Sequence, residues 1–187
     1  MRDLLYGMSS LPSDYFAVFG IPVTLALDLP ELQRRFYVLS KQYHPDRFGR
    51  ATAAEQQYAL DFTSLLNDAW RVLRDPQARA EYVLQNNGLE AGDSRGNPPP
   101  AELLEEVFEL NMALEELRQG EAEARGPIRE ALDRFLALRE AIDSEREALF
   151  LRYDANPAAE TLRQLRALLN RRRYIENLVR DAQQALS

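Results

Sequence analysis

The chain has 187 residues, no cysteine and a formal net charge of −7. The missing thiols exclude disulfides, iron–sulfur ligation and zinc ribbons and fit a reducing compartment, while the acidic balance argues against non-specific nucleic-acid binding, which needs clustered cations. No apolar run is long enough to cross a bilayer, and Met1 to Pro12 lacks the basic start and long apolar stretch of a secretory signal, so a cytoplasmic protein without membrane or nucleic-acid partners is expected.

The N-terminal part reads as four helices. Ser13 or Asp14 can cap a short helix carrying Tyr15, Phe16, Val18 and Phe19, which Gly20 and Pro22 end. Asp28 caps a second, with Pro30 in its first turn and Leu32, Phe36, Leu39 and Tyr43 at three- and four-residue spacing. The pattern of Tyr58, Phe62, Leu65, Leu66, Ala69, Val72 and Leu73 predicts a third helix from about Ala53 to Arg74, stopped by Asp75-Pro76. A short fourth runs from Ala78 to Leu84. The second and third are long enough to pair as an antiparallel hairpin.

Asn86 to Pro100 then gathers glycines, asparagines and three consecutive prolines, which cannot continue a helix, so residues 88–100 are expected to be a linker. Beyond it, three longer helices are predicted: from about Ala101 to Leu117, from Pro127, and from Asn156-Pro157 onward. The middle one carries Ile128, Leu132, Phe135, Leu138, Ile142, Leu149 and Tyr153 on one face. The last carries Leu162, Leu165, Leu168 or Leu169, Tyr174 or Ile175, Leu178, Ala182 and Leu186. These lengths and short connections suggest an antiparallel three-helix bundle over residues 101–187. The acidity is local: eight acids lie between Glu102 and Glu123, opposed there only by Arg118. Runs of β-branched residues with period two are absent, so the fold class is all-α.

Tyr43-His44-Pro45-Asp46-Arg47 joins the second and third helices and contains the only histidine, three residues after the only lysine, Lys41. Pro45 disfavours helical geometry at His44 and removes a backbone donor, so the chain turns there and presents His44 and Asp46 beside a basic helix end. The tripeptide alone is weak, since a histidine before a proline is usually just a helix-end residue. Its setting between two amphipathic helices, after Tyr43 and before a cation, raises its weight. Catalysis fares poorly: no serine or cysteine nucleophile with a companion motif is evident, and a histidine and an aspartate across a proline are poorly placed to pair as base and orienter. One histidine without cysteines leaves only carboxylates as metal co-ligands, so neither a metal site nor a cofactor is expected.

Three blocks then carry a resemblance. Asp14-Tyr15-Phe16, Tyr43-His44-Pro45-Asp46-Arg47 and Asn67-Asp68-Ala69-Trp70-Arg71-Val72-Leu73, in this order, make residues 13–87 resemble a J domain. With Arg74-Asp75-Pro76, Arg79 to Leu84 and the acidic helix around Leu103 to Leu110, the whole chain resembles the HscB family, the J-type co-chaperones of iron–sulfur cluster biogenesis. The resemblance implies an N-terminal J domain followed by a C-terminal three-helix bundle. It also implies a protein that is not itself an enzyme and that stimulates ATP hydrolysis by the DnaK-class chaperone HscA, delivering the scaffold protein IscU to it. His44, Pro45 and Asp46 would drive that stimulation, with Arg35, Lys41 and Arg47 as chaperone contacts; Arg47 replaces a more usual lysine.

The scaffold would meet Leu104, Phe108, Glu109 and Glu116, with Tyr174 replacing a usual phenylalanine and Met112 standing where an acid is common. Leu104, Phe108 and Met112 fall at four-residue steps with carboxylates alongside, a surface suited to a basic, partly apolar partner. Leu103, Val107, Leu110, Leu114 and Leu117 form a competing face, and either face could be the buried one. The alternative function is a J-domain co-chaperone whose bundle binds a different client. A structural helical adaptor is the reading in which His44-Pro45-Asp46 is a bystander.

Overall fold

A computed structural model describes residues 10–89 and 101–187. The chain separates into two units, divided inside a helix between Val83 and Leu84. All regular elements among the described residues are helical. Most of the expected linker, residues 90–100, lies outside the described residues.

In the first unit, α1 (Tyr15–Phe19) has only five residues, too few to persist without fixed ends. Asp14 accepts the Ala17 N–H at 2.9 Å, and Gly20, at φ 62, closes the helix in a left-handed conformation that costs glycine little. The Asp28 carboxylate caps α2 (Leu29–Gln42) by accepting the Glu31 N–H at 3.0 Å. A reciprocal capping box opens α3 (Ala53–Arg74): Thr52 Oγ1 accepts the Glu55 N–H, and Glu55 accepts the Thr52 N–H at 2.7 Å. The Thr52 hydroxyl also donates to the Glu55 carboxylate at 2.7 Å, and that bond, then the one from the Thr52 N–H, holds the carboxyl below its usual range. Asp75 accepts the Ala78 N–H at 2.7 Å, so α4 (Pro76–Asn86) begins two residues before the Ala78 start expected from apolar spacing.

The pairing of α2 with α3 is read from their aromatic contacts. Phe36 stacks on Trp70 at 5.0 Å and Tyr43 lies on Phe62 at 4.1 Å. Rising numbers on one helix meet falling numbers on the other, so the hairpin is antiparallel. The core beneath it contains Phe16, Val18, Phe19, Leu25, Leu32, Phe62, Leu66 and Leu73, all buried. One charge shares this core. Arg79 on α4 is 3% exposed and donates to the carbonyl oxygens of Leu25, at 2.8 Å, and Leu73. It thereby ties α4 to the α1–α2 loop and to the end of α3.

In the second unit, a 3-10 turn at Ala101–Leu103 leads into α5 (Leu104–Arg118). Another at Ala122–Ala124 runs directly into α6 (Arg125–Ala155). That turn explains why α6 starts two residues before Pro127. The proline falls in the first helical turn, where its missing N–H has no intrahelical partner to lose. The third helix, α7 (Ala159–Leu186), pairs with α6 most extensively. Arg125 reaches the Leu186 carbonyl, Arg139 reaches Glu176 and Arg152 reaches Gln164, which fixes an antiparallel register.

The α6–α7 core contains Ile128, Phe135, Ile142, Leu149, Phe150 and Tyr153 against Leu162, Leu165, Leu168, Leu169, Ile175, Leu178 and Val179. Both leucines at 168–169 are buried, and Ile175 rather than Tyr174 is the core residue. Arg146 is buried among them. It is neutralised by Asp143 at 2.7 Å and Glu147 at 2.9 Å and lies over the Phe150 ring. Asp143 also meets Arg172 of α7 at 2.6 Å. Burial pushes the Asp143 carboxyl up, but the Arg172 bond and the nearby guanidinium charges outweigh it and hold it below its usual range.

Replacing Arg79 with Met would strip the Leu25 and Leu73 carbonyls of a charged donor inside the core. A loss of about 2–3 kcal/mol is expected for the first unit. The measurement is urea unfolding followed by the fluorescence of Trp70, the only tryptophan of the chain and so a reporter of this unit alone.

Candidate functional site

Two surfaces gather the residues singled out from the sequence, one on each unit. On the first, α2 ends at Gln42 and the chain passes through a 3-10 turn, Pro45–Phe48, capped by His44. Three interactions hold this turn against α3: the Tyr43–Phe62 ring contact, a Tyr43–Tyr58 contact at 6.2 Å, and a bond from Thr63 Oγ1 to the Tyr43 carbonyl at 3.1 Å. Burial, then the neighbouring Tyr43, raises the Tyr58 hydroxyl above its usual range.

His44 and Asp46 both stand exposed at the tip. His44 Nδ1 accepts the Asp46 N–H at 3.3 Å, and the Asp46 carboxylate lies 3.5 Å from the same nitrogen. The two side chains are therefore closer than their spacing across a proline implied. Even so, Nδ1 already serves as an acceptor, so the carboxylate does not orient it for proton transfer. Arg47 donates to the Lys41 carbonyl at 3.2 Å and folds the turn back over the end of α2.

Lys41, His44 and Arg47 line one shallow groove together with Tyr37 and Ser40. Arg35 is not part of it. Its guanidinium bonds Glu31 at 2.8 Å and the Phe19 and Gly20 carbonyls at 3.0 and 3.3 Å, and it lines a separate groove beside α1. Bonds from Arg35 and Arg34 hold the Glu31 carboxyl below its usual range. Tyr37 was missed by sequence reasoning, although its spacing from Lys41 and His44, four and seven residues, puts all three on one helical face.

On the second unit, α5 carries apolar residues on two faces, and only one is buried. Leu103, Val107 and Leu110 are inside, with Leu114 and Leu117 half-buried. Leu104, Phe108 and Met112 are 53%, 64% and 49% exposed. Around them, Glu109 pairs with Arg134 of α6 at 3.1 Å, and Glu102 approaches Arg171 of α7 at 3.7 Å. Glu105, Glu106 and Glu116 have no ion pair among the described residues, so net negative charge surrounds the apolar row. Glu109, Met112 and Glu116 also line a groove toward Glu130 and Arg134 of α6. Tyr174 lies three residues beyond Arg171 and is half-buried, and burial raises its hydroxyl above the usual range. Of the neighbouring arginines, Arg171 turns to the acidic segment and Arg172 to Asp143.

Among the described residues no group of three or more histidines, cysteines or carboxylates is placed to hold a metal ion, and no helix is long and apolar enough to cross a membrane.

An antiparallel helical hairpin with His44-Pro45-Asp46 at its tip defines a J-domain protein, and residues 14–82 match the DnaJ domain family. The whole chain is similar to two solved structures. Human co-chaperone protein HscB shares the fold at 22% identity, with a TM-score of 0.68, over 94% of this chain and 84% of that one. Chaperone HscB from Vibrio cholerae is 26% identical, with a TM-score of 0.67, over 91% of this chain and 96% of that one. Residues 14–82 thus form a J domain, which implies an Hsp70-class partner, and the chain as a whole has an HscB-like fold.

The two faces of α5 differ in what truncation should do to folding. Leu110→Ala, in the core, should cost about 2–4 kcal/mol, whereas Phe108→Ala should change stability by no more than about 0.5 kcal/mol. Denaturant unfolding followed by circular dichroism, with the Trp70 signal separating the first unit, checks both.

Proposed function

We propose that this co-chaperone recruits the DnaK-class chaperone HscA, stimulates its ATP hydrolysis and delivers the scaffold protein IscU to it, assisting iron–sulfur cluster transfer and protein maturation in the cytoplasm. The J domain is taken as residues 13–87 and the scaffold-binding bundle as 101–187, joined by a linker at 88–100. His44, Pro45 and Asp46 act on the chaperone, flanked by Lys41 and Arg47. Arg35 contributes at the edge of that surface while bracing α2 against α1. The protein itself performs no chemistry.

The observation that carries the client half of this reading is the exposed row Leu104–Phe108–Met112 set among carboxylates. An apolar patch rimmed by charge is the usual make-up of a protein-docking surface. A basic partner with apolar side chains to insert fits it, with Glu109, Glu116 and Tyr174 completing the contact. The chaperone half rests on the His44-Pro45-Asp46 turn, held in a fixed direction by Tyr43 and Thr63 while both polar side chains stay in solvent.

In single-turnover ATP hydrolysis by HscA, wild-type protein should accelerate the reaction and His44→Gln should leave it at the basal rate. Unchanged stimulation by His44→Gln would remove the turn from the mechanism. Titration of IscU onto the full chain tests the other half. A central anchor contributes about 2 kcal/mol, so Phe108→Ala should weaken binding roughly 30-fold. Failure of wild-type protein to bind IscU would point to a different client for the same surface.

A further inference from the structure

We infer that Tyr37 is an aromatic anchor of the chaperone-binding face, set against an aliphatic surface of the partner that also offers a carboxylate to Lys41. This rests on the reading of α2 and the His44-Pro45-Asp46 turn as the chaperone-facing surface and names a residue within it. Tyr37 is 61% exposed, so the first unit gains little from its ring. It lies one helical turn before Lys41 and two before His44, and all three line the groove completed by Ser40 and Arg47. The accessible walls of that groove are chiefly apolar, although two of its five residues are cations.

The ring is also held in place. Gln33 Nε2 donates to the Tyr37 hydroxyl at 3.3 Å, and the ring meets Phe36 edge-on at 5.7 Å. Phe36 is itself stacked on Trp70 of α3. A large side chain oriented before contact loses little conformational freedom when covered, which is why exposed, pre-set tyrosines serve as anchors in interfaces. The charge beside it specifies the rest of the partner. The Lys41 ammonium is exposed and has no acceptor among the described residues, and the Arg47 guanidinium closes the far side of the groove. An aliphatic group over Tyr37 with an acid next to it satisfies both; a basic or purely polar surface satisfies neither.

The experiment is stimulation of single-turnover ATP hydrolysis by HscA, measured against co-chaperone concentration for wild type, Tyr37→Ala, Tyr37→Phe and His44→Gln. Tyr37→Ala should raise the half-stimulating concentration roughly tenfold with the maximal rate kept. Tyr37→Phe, which keeps the ring, should stay within about threefold of wild type. The same thermal unfolding midpoint followed at Trp70 is expected for wild type and both Tyr37 variants, because the Tyr37 side chain is exposed. If the Tyr37→Ala titration overlays wild type while His44→Gln is inactive, the anchor is disproved and the chaperone reading stands. A loss of maximal rate at an unchanged half-point also overturns it. If His44→Gln stimulates as wild type does, the chaperone reading falls and takes the anchor with it.

Discussion

The seating of Tyr43 on Phe62 is the contact on which the presentation of the first unit depends. It fastens the turn end of the α2–α3 hairpin, and the Thr63 bond to the Tyr43 carbonyl locks the backbone at the residue before His44. An aromatic pair of this kind contributes about 0.5–1.5 kcal/mol beyond its buried area, and a neutral hydrogen bond a similar amount. The exposed approach of His44 to Asp46 contributes about 0–1 kcal/mol. The direction of the turn is therefore set from behind, by Tyr43 and α3. Its tip is left with polar groups whose removal leaves the scaffold intact.

The second unit reaches a comparable result by a different division of labour. Its stability is concentrated in α6 and α7, which bury a long apolar seam and close around Arg146. A buried guanidinium is costly unless paired. Here Asp143 and Glu147 supply the pairing, and Asp143 extends it across to Arg172. With the bundle held by that pair, α5 needs only one buried stripe to stay attached. Its other face can then keep leucine, phenylalanine and methionine in water without loosening the bundle.

Much of this was legible beforehand because the signals were local. Asp14 and Asp28 mark two helix starts by side chains that accept the first free N–H groups, and the observed caps use those same residues; the Thr52–Glu55 capping box of α3 is an equally local signal that the apolar pattern passed over. The resemblance to the HscB family likewise rested on contiguous blocks. What stayed ambiguous was long-range. Residues of α5 satisfy helical periodicity on two faces at once, so spacing could not choose between Leu103-Val107-Leu110 and Leu104-Phe108-Met112; only packing against α6 and α7 decides. Arg146 occupies a position of the Ile142–Leu149 stripe, but its charge hides it from an apolar pattern. The partners that make it tolerable include Asp143, three residues away, which is itself tied to Arg172 on another helix. Arg35 looked like a surface cation because its acceptors, the carbonyls of Phe19 and Gly20, lie fifteen and sixteen residues earlier.

The geometry at His44 bears on why such a turn would need both of its polar residues. With Nδ1 accepting the Asp46 N–H, the neutral ring carries its proton on Nε2, facing away from the backbone. Pro45 makes this possible: it has no N–H of its own to compete, and it holds His44 in an extended conformation, φ −59 and ψ 128, from which the ring can fold back over Asp46. The turn thus displays a donor from His44, its polarity settled by the backbone, and an acceptor from the Asp46 carboxylate. An amide at position 44 could keep a donor but would lose the Nδ1 bond to the Asp46 N–H that orients it. An amide at position 46 would keep the backbone bond and lose the charge. Nδ1 is occupied by the Asp46 N–H although the Asp46 carboxylate lies 3.5 Å from it, so the turn's geometry fixes hydrogen-bond direction and charge at the tip.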